Sequence, residues 1–234
     1  MKKKDRIIFT GSSGKFGRVF RTIHQNKEIL YPTSNHLNIK NYKSIIKYLS
    51  KYKPKYFIHA AALSRPMNIH DRNIANSIET NIIGTCNVVR ACSEKNIKLI
   101  YFSSNYVYPK KKGYYDEKSP VLPFNNYAWS KLGGEAAVQM YKNSLILRIC
   151  MTQKPFLHKT AYTNLKTNFM FHEDLAKVFF KLINKKGIIN IGGKSQSVYK
   201  FAKNYNNDIK KGKLNKNLLP LCSTMNIRKF SKLT

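Results

Sequence analysis

A glycine-spaced turn near the start of the chain is the feature that most restricts its fold. Gly11, Gly14 and Gly17 stand three residues apart in the segment TGSSGKFG. The turn follows the apolar run RIIFT at 6–10 and precedes apolar residues at helical spacing between 16 and 23. Such glycines let a strand turn tightly into a helix and let backbone N–H groups approach a phosphate. The pattern predicts a diphosphate-binding turn made by Gly11, Ser13, Gly14, Lys15, Phe16 and Gly17.

A turn that binds no ligand is the alternative interpretation of these glycines. The strand pattern before the turn and the amphipathic pattern after it favour phosphate binding, because a glycine motif without that context is a weak signal.

Strand and helix patterns alternate along the rest of the chain. Apolar runs predict strands at 29–31, 56–59, 99–103, 145–149 and 188–191. Helical spacing predicts helices at 42–49, 73–94, 125–141 and 173–184. Such alternation is typical of a parallel sheet with helices on both faces. We therefore predict an α/β fold, a Rossmann-like doubly wound sheet with a small C-terminal lobe.

The predicted division places a dinucleotide-binding domain at 1–150 and a small substrate-binding lobe at 151–234. The lobe is expected to be interleaved with the last strand and helices of the sheet. The last thirty or so residues are basic and poorly patterned, and their sequence leaves open whether they cap the fold or fray.

The charge of the chain is strongly positive, with 43 basic and 11 acidic residues and a formal net charge of +32. One interpretation is a basic face for nucleic acid. The other is a compositional bias, since Lys, Asn, Ile and Tyr are all abundant and the lysines are spread along the chain. The second interpretation is favoured, so we expect no specific nucleic-acid partner. The positive field attracts diphosphate ligands in either case.

Cysteine spacing and hydropathy argue against a metal-binding protein and against a membrane-spanning or secreted one. Cys86, Cys92, Cys150 and Cys222 are spread along the chain and form no CxxC pair, so we expect reduced thiols and no metal site. No apolar run approaches the length of a membrane span, and the N-terminus lacks the pattern of a signal peptide. The expectation is a cytoplasmic protein, and a homodimer is left open.

The residues after the second predicted strand bear on the choice of dinucleotide. NAD-binding folds usually place an acidic residue about twenty positions after the glycines, where it binds the ribose 2′-hydroxyl. No acidic residue lies between Glu28 and Asp71. Thr33 and Ser34, with Lys15 or Arg18 nearby, could instead bind a 2′-phosphate. The sequence therefore favours NADP(H) over NAD(H), with simple strand termination as the alternative role of Thr33 and Ser34.

A second cluster of residues predicts acid–base chemistry. Tyr127 and Lys131 are four residues apart and so share one face of a predicted helix. An ammonium group beside a phenol is expected to lower the pKa of the phenol towards the useful range. Ser104 ends the predicted strand 99–103, at the edge where α/β sheets bind ligands, and Ser103 is the neighbour that packs or caps.

These motifs together resemble a known family. TGSSGKFG, HAAALS at 59–64, SSNYVY at 103–108, YAWSKLGGE at 127–135 and FHEDLAK at 171–177 occur in the order seen in extended short-chain dehydrogenases/reductases. Within them the chain is most similar to the dTDP-4-dehydrorhamnose reductase group, and the similarity continues through IINIGGKSQSVYKFA at 188–202.

The resemblance implies roles for particular residues. Ser104, Tyr127 and Lys131 would be catalytic, and Tyr127 and Lys131 would also contact the nicotinamide ribose. Ala60, Ala61 and Ala62 would line the cofactor. Asn81 matches a helix asparagine that braces the active-site strand, although a surface asparagine is an equal alternative. Residues expected to contact a nucleotide-sugar substrate are Ser104, Asn105, Tyr106 and Arg65, and Arg65 is equally compatible with a solvated loop.

Two departures narrow the expected reaction. Sugar-nucleotide dehydratases carry an Asp-Glu pair after the catalytic hydroxyl, whereas this chain has Asn105 and Tyr106. Dehydrorhamnose reductases usually have Thr-Asp-Tyr there, so the carboxylate is lost and the particular sugar is left open. The expectation is an NAD(P)H-dependent reductase of a nucleotide-linked 4-keto-6-deoxy sugar. The alternatives are a nucleotide-sugar 4-epimerase that retains NAD and a non-catalytic NAD(P)-binding regulatory module.

Overall fold

The strands of the chain form one large sheet and several small ones. A computed structural model describes residues 5–109, 112–215 and 221–234. The strands of these residues are β1 (Ile7–Thr10), β2 (Ile29–Leu30), β3 (Tyr56–His59), β4 (Lys98–Ser104), β5 (Ser144–Ile149), β6 (Met151–Thr152), β7 (Thr160–Tyr162), β8 (Lys166–Thr167), β9 (Met170–Phe171), β10 (Gly187–Ile191), β11 (Gln196–Ser197) and β12 (Lys210–Gly212).

The helices alternate with these strands. They are α1 (Lys15–Ile23), α2 (Tyr42–Tyr52), α3 (Ile69–Arg72), α4 (Ile74–Ser77), α5 (Gly84–Glu94), α6 (Asn126–Gln139), α7 (His172–Val178), α8 (Val198–Lys203) and α9 (Arg228–Ser231). A π-helical segment, Ile78–Ile83, joins α4 to α5, and single 3₁₀ turns follow β4 and α7.

The central sheet has six strands in the order β10-β5-β4-β3-β1-β2. Every neighbouring pair in it is parallel. The chain steps from β1 outward to β2 and then returns to β3 on the other side of β1. The strand order therefore reverses between β1 and β3, and ligands of open α/β sheets bind at the carboxyl ends beside such a reversal.

Both faces of this sheet are covered by helices, which confirms the predicted doubly wound α/β fold. One face packs against α1, α7 and α9 through Phe16, Phe20, Leu175, Ala176 and Phe230. The other face packs against α2, α5 and α6 through Ile45, Leu49, Val88, Ala91 and Val138. Phe230 is buried, so the described end of the chain caps the core rather than fraying from it.

The helix predicted over 73–94 is not continuous. It consists of α4, the π-helical segment and α5, and the short helix α3 precedes it. A π turn contains an extra residue, which changes the direction of the following side chains and often marks a functional site. The helix predicted over 173–184 also ends early, because α7 passes into a 3₁₀ turn after Val178.

The C-terminal part adds a small lobe beside the carboxyl ends of the strands. Three two-stranded sheets pair β6 with β9, β7 with β12 and β8 with β11. The lobe has its own apolar cluster, which includes Phe156, Ala161, Phe171, Val198 and Phe201. Strand β10 and helix α7 lie between these segments in sequence but belong to the large sheet and its cover.

A buried lysine at the amino-terminal end of the central strand β4 allows the packing of the sheet to be tested. Lys98 begins β4, and its Nζ atom is buried without a hydrogen-bond partner among the described residues. Burial lowers the pKa of Lys98 to about 8, and the charge of Lys186 acts in the same direction. The protein therefore holds a poorly solvated ammonium group at neutral pH.

Replacing Lys98 with Met is expected to raise the free energy of unfolding by about 1–3 kcal/mol at neutral pH, since an unpaired buried group is removed. The pKa of Lys98 lies below its ordinary value of 10.5, so the penalty is complete below about pH 8 and declines as pH rises towards 10.5. Urea titrations of both proteins at several pH values measure this difference. The exposed Lys47→Met is the control, and an equal gain in it would refute the explanation.

Candidate functional site

The glycine turn has a geometry that excludes side chains. Gly11 has a φ of +84°, and a Cβ atom there would lie 2.6 Å from the carbonyl carbon of Ala60. A Cβ atom on Gly17 would lie 2.3 Å from the carbonyl oxygen of Gly11. The backbone N–H of Gly14 donates to the same oxygen at 3.1 Å. The turn is thus packed closely on β1, α1 and the residues after β3, as the glycine spacing predicts.

The first turn of α1 offers donors to an anion. No side chain caps the helix at Gly14, so the N–H groups of the first turn face outward without side-chain partners. These groups and the helix dipole favour a negatively charged group at this position. Ser13 is exposed, whereas Phe16 is buried with its ring 5.1 Å from that of Phe102. Phe16 therefore presents its backbone, and not its side chain, to this region.

Lys15 and the residues after β2 are those predicted to surround a 2′-phosphate. The Lys15 ammonium donates a hydrogen bond to Gln153, in the segment after β6. The grouping of Thr33 and Ser34, with Lys15 or Arg18 nearby, around a 2′-phosphate stays a prediction. Thr33 pairs its hydroxyl with Nδ1 of His36 at 2.8 Å, and Ser34 is exposed. Sequence reasoning missed His36, although its spacing of three residues from Thr33 was the available signal.

The end of β3 is tied to the glycine turn. The backbone N–H of Ala60 donates to the carbonyl of Thr10 at 3.2 Å, and Ala61 and Ala62 follow it as partly buried residues. His59 is fully buried between the Thr10 hydroxyl at 3.0 Å and the Thr85 hydroxyl at 3.1 Å. Burial lowers the pKa of His59 to about 3, with a further decrease from the charge of Lys131, so this imidazole is a neutral link.

Asn81 lies in the π-helical segment and is buried. Its amide nitrogen donates to the Leu63 carbonyl and to the Ser130 hydroxyl, both at 2.8 Å. Its amide oxygen accepts from the Leu63 N–H at 2.8 Å. Asn81 therefore braces the loop after β3 against α6, and the surface alternative is wrong.

The two serines at the end of β4 have different partners. Ser103 donates to the buried carboxylate of Glu135 at 2.5 Å, which is a structural contact. Ser104 accepts from the N–H of Tyr106 at 3.2 Å. Its side chain is also close enough to the Tyr127 phenol to act on the pKa of that phenol, in the lowering direction. The structure thus brings Ser104, rather than Ser103, to Tyr127.

The pKa of Tyr127 is raised, contrary to the prediction from its spacing to Lys131. Burial of the phenol is the largest cause, and it outweighs the opposing hydrogen bond to Ser104 and the charge of Arg65. The Lys131 ammonium lies 4.3 Å from the centre of the Tyr101 ring. Burial lowers the pKa of Lys131 to about 7, although the Glu135 carboxylate acts to raise it. Lys131 therefore carries less positive charge at neutral pH than the prediction assumed.

The residues predicted to contact a substrate divide into two groups. The Tyr106 ring lies 6.3 Å from that of Tyr127, and the charge of Arg65 acts on the pKa of both phenols. Arg65 and Tyr106 are thus close to the Ser104–Tyr127 pair. Asn105 is buried and its amide donates to the Ser223 carbonyl at 3.4 Å. Its side chain therefore holds the C-terminal segment.

Two features near this cluster were missed by sequence reasoning. A buried ion pair joins Glu135 of α6 to Arg148 of β5, with Nη2 and Oε1 2.6 Å apart. A charged residue inside the apolar run LILRI was the available signal. His70 packs its ring 5.2 Å from that of Tyr127, and nothing in the local sequence pattern distinguished it.

The described residues contain no group of three or more His, Cys, Asp or Glu side chains that could hold a metal ion. None of their helices combines the length and hydropathy that crossing a bilayer requires.

The sheet order and the glycine turn define a Rossmann-like α/β fold. A family model described as the RmlD substrate binding domain matches residues 5–165. This match covers more than half of the chain, which therefore belongs to that family.

The curated relatives of this chain include a subunit of another enzyme and a sugar-nucleotide reductase. Methionine adenosyltransferase 2 subunit beta of Xenopus laevis is 29% identical over 154 residues, 62% of this chain and 46% of the relative. The dTDP-4-dehydrorhamnose reductase of Aggregatibacter actinomycetemcomitans is 26% identical over 152 residues, 63% of this chain and 51% of the relative. The chain thus spans about half the length of these curated relatives.

The fold itself is similar to solved structures. The dTDP-4-dehydrorhamnose reductase of Bacillus anthracis, solved in complex with NADP, superimposes with a TM-score of 0.86 at 21% identity. The superposition covers 98% of this chain and 92% of that one. The similarity extends over the described sheet and the small lobe.

Proposed function

We propose that this protein reduces the C4 ketone of a nucleotide-linked 4-keto-6-deoxy sugar with a nicotinamide cofactor. The observation that carries the proposal is the placement of Ser104, the last residue of β4, close to the Tyr127 phenol of α6, one helical turn from Lys131. A proton donor and a second hydroxyl converge there at the carboxyl ends of the strands, on the side of the sheet that carries the glycine turn. Membership of the RmlD family supports the same reaction.

The residues present fit a dinucleotide. Gly11 and Gly17 leave no room for side chains, and the uncapped first turn of α1 offers N–H donors to a diphosphate. Ala60, Ala61 and Ala62 would line the adjacent strand end, and Lys131 would contact the ribose. The absence of a carboxylate after β2 supports NADP(H) over NAD(H), with Thr33 and Ser34 near the 2′-phosphate.

The nicotinamide, when bound, supplies the hydride. Tyr127 then donates its phenolic proton to the carbonyl oxygen as negative charge develops on it. The phenol of Tyr127, whose pKa burial raises, holds its proton at neutral pH and can donate it to an oxygen that becomes more basic than a phenolate. Ser104 donates a hydrogen bond to the same oxygen and polarises the carbonyl. Lys131 stabilises the phenolate left on Tyr127 once the proton has moved.

The substrate would approach from the small lobe. Arg65 and Tyr106 lie near Tyr127, where a guanidinium group can engage the diphosphate and an aromatic ring can pack on a sugar. We propose that residues 151–234 supply the remaining contacts and that residues 1–150 bind the dinucleotide.

One observation favours a second function, that of a non-catalytic regulatory module. The relative from Xenopus laevis is named as a subunit of another enzyme, so a chain with this fold can serve as a partner of a different catalyst. A regulatory module would bind NADP(H) without turnover. A 4-epimerase, in contrast, would retain NAD during gel filtration and consume no external NADPH.

Turnover of a panel of nucleotide-linked 4-keto-6-deoxy sugars tests the proposal. We expect NADPH to be oxidised with at least one of them, NADH to be used less efficiently, and the cofactor to be lost on gel filtration. Binding of NADPH without oxidation by any sugar would favour the regulatory module. Conversion of C4 epimers by the enzyme as purified would favour the epimerase.

A further inference from the structure

A buried histidine beside Tyr127 has one ring nitrogen without a partner. His70 is only 1% exposed, and its ring lies 5.2 Å from that of Tyr127. Its Nδ1 atom is held by the Ser77 hydroxyl at 2.7 Å. Its Nε2 atom is buried and has no hydrogen-bond partner in the described part of the chain. The side chain is therefore oriented by one nitrogen and leaves the other unused.

The surroundings of His70 keep its ring neutral and in place. Burial is the largest influence and lowers the pKa of His70, and the Lys131 charge acts in the same direction against the Asp71 carboxylate. Asp71 is itself tied to α6, because it accepts a hydrogen bond from Asn126 at 2.8 Å. A neutral imidazole has one donor and one acceptor nitrogen. Because Nδ1 is engaged by Ser77, Nε2 is the nitrogen left for a ligand.

A buried nitrogen without a partner lowers stability unless a ligand or water satisfies it. The aromatic ring that His70 contacts is that of Tyr127, the proposed proton donor. We propose that Nε2 of His70 hydrogen-bonds a hydroxyl of the sugar held beside Tyr127, on the carbon next to the reacting ketone. This proposal rests on the proposed function. It makes His70 a residue that positions the sugar and selects sugars that carry this hydroxyl.

A sugar hydroxyl is a suitable hydrogen-bond partner for the Nε2 atom of His70. A hydroxyl both donates and accepts, so it pairs with Nε2 in either tautomer of the ring. A sugar that lacks the hydroxyl would leave Nε2 unpaired in the complex, and a polar site of this kind discriminates strongly against such an analogue. Nucleotide-linked 4-keto-3,6-dideoxy sugars are the analogues that lack it.

Two substitutions distinguish the contributions of the Nδ1 and Nε2 atoms of His70. The amide of His70→Asn reaches the place of Nδ1 and keeps the Ser77 contact, whereas the longer His70→Gln reaches the place of Nε2. Calorimetry of dTDP-rhamnose binding to the protein–NADP complex compares them. We expect about tenfold weaker binding for His70→Asn and near wild-type binding for His70→Gln, as one lost hydrogen bond predicts. The KM for the 4-keto sugar should change in parallel, while the affinity for NADP should not.

The control is His24→Asn, because His24 is a partly buried histidine whose Nε2 is already paired with the Ala176 carbonyl at 2.8 Å. Wild-type affinity in His70→Asn, or equal losses of NADP and sugar affinity, would overturn the proposal for His70 alone. Equal loss of affinity for sugars with and without the hydroxyl would also overturn it. Failure of the wild-type protein to bind any nucleotide sugar would instead remove the proposed function, and the role of His70 with it.

Discussion

Replacing Tyr127 with Phe will lower kcat for the 4-keto sugar by roughly 10²–10⁴-fold, the usual contribution of a positioned proton donor. The substitution removes the phenolic hydroxyl that interacts with Ser104 and keeps the ring that packs against His70 and Tyr106. Binding of NADPH and the melting temperature should therefore change little. Stopped-flow oxidation of NADPH measures the loss in the chemical step directly.

Tyr141→Phe is the matched control for that substitution. Its hydroxyl donates to the carbonyls of Cys92 and Ile97, so its removal should lower stability without lowering kcat. Activity of Tyr127→Phe within a few-fold of the wild-type protein would contradict the assignment of Tyr127 as the proton donor.

Replacing Glu135 with Ala is expected to destabilise the protein by about 3–5 kcal/mol, since removal of one partner leaves an uncompensated buried charge. The side chains of Glu135 and Arg148 are 0% and 3% exposed, and the carboxylate also accepts from Ser103. Denaturant titration at neutral pH measures the effect. Ser103 precedes Ser104, so a loss of activity should accompany the loss of stability.

The double substitution Glu135→Leu with Arg148→Met separates a buried charge from a general packing defect. Apolar residues of similar volume can replace a buried ion pair with little loss. The double variant should therefore be more stable than Glu135→Ala. A single variant within about 1 kcal/mol of the wild-type protein, below the range expected for a broken buried pair, would contradict this account.

The central sheet could be predicted from the sequence because buried parallel strands appear as short apolar runs. The strands predicted at 56–59 and 145–149 agree with β3 and β5 to within one residue. The small strands of the C-terminal lobe were not predicted. Each of those described contains two or three residues, which is too short for periodicity, and they form through pairing with other segments of the lobe.

The residues proposed to be catalytic could be named from their spacing, because Ser104, Tyr127 and Lys131 follow a local strand and helix pattern. The predicted direction of the Tyr127 pKa shift was wrong, because burial depends on packing that no local pattern shows. The contact of Lys15 with Gln153 spans 138 residues, and His70 reaches Tyr127 across the loop after β3. Such contacts are decided by the tertiary fold.

Transfer of deuterium from NADPH labelled at C4 of the nicotinamide tests the central claim most directly. With the turnover-competent 4-keto sugar, mass spectrometry and NMR should find one deuterium at C4 of the sugar for each NADP⁺ formed, and Tyr127→Phe should slow this transfer by the same factor as it lowers kcat. Oxidation of NADPH without deuterium in the sugar, or binding of the cofactor without any transfer, would contradict the account.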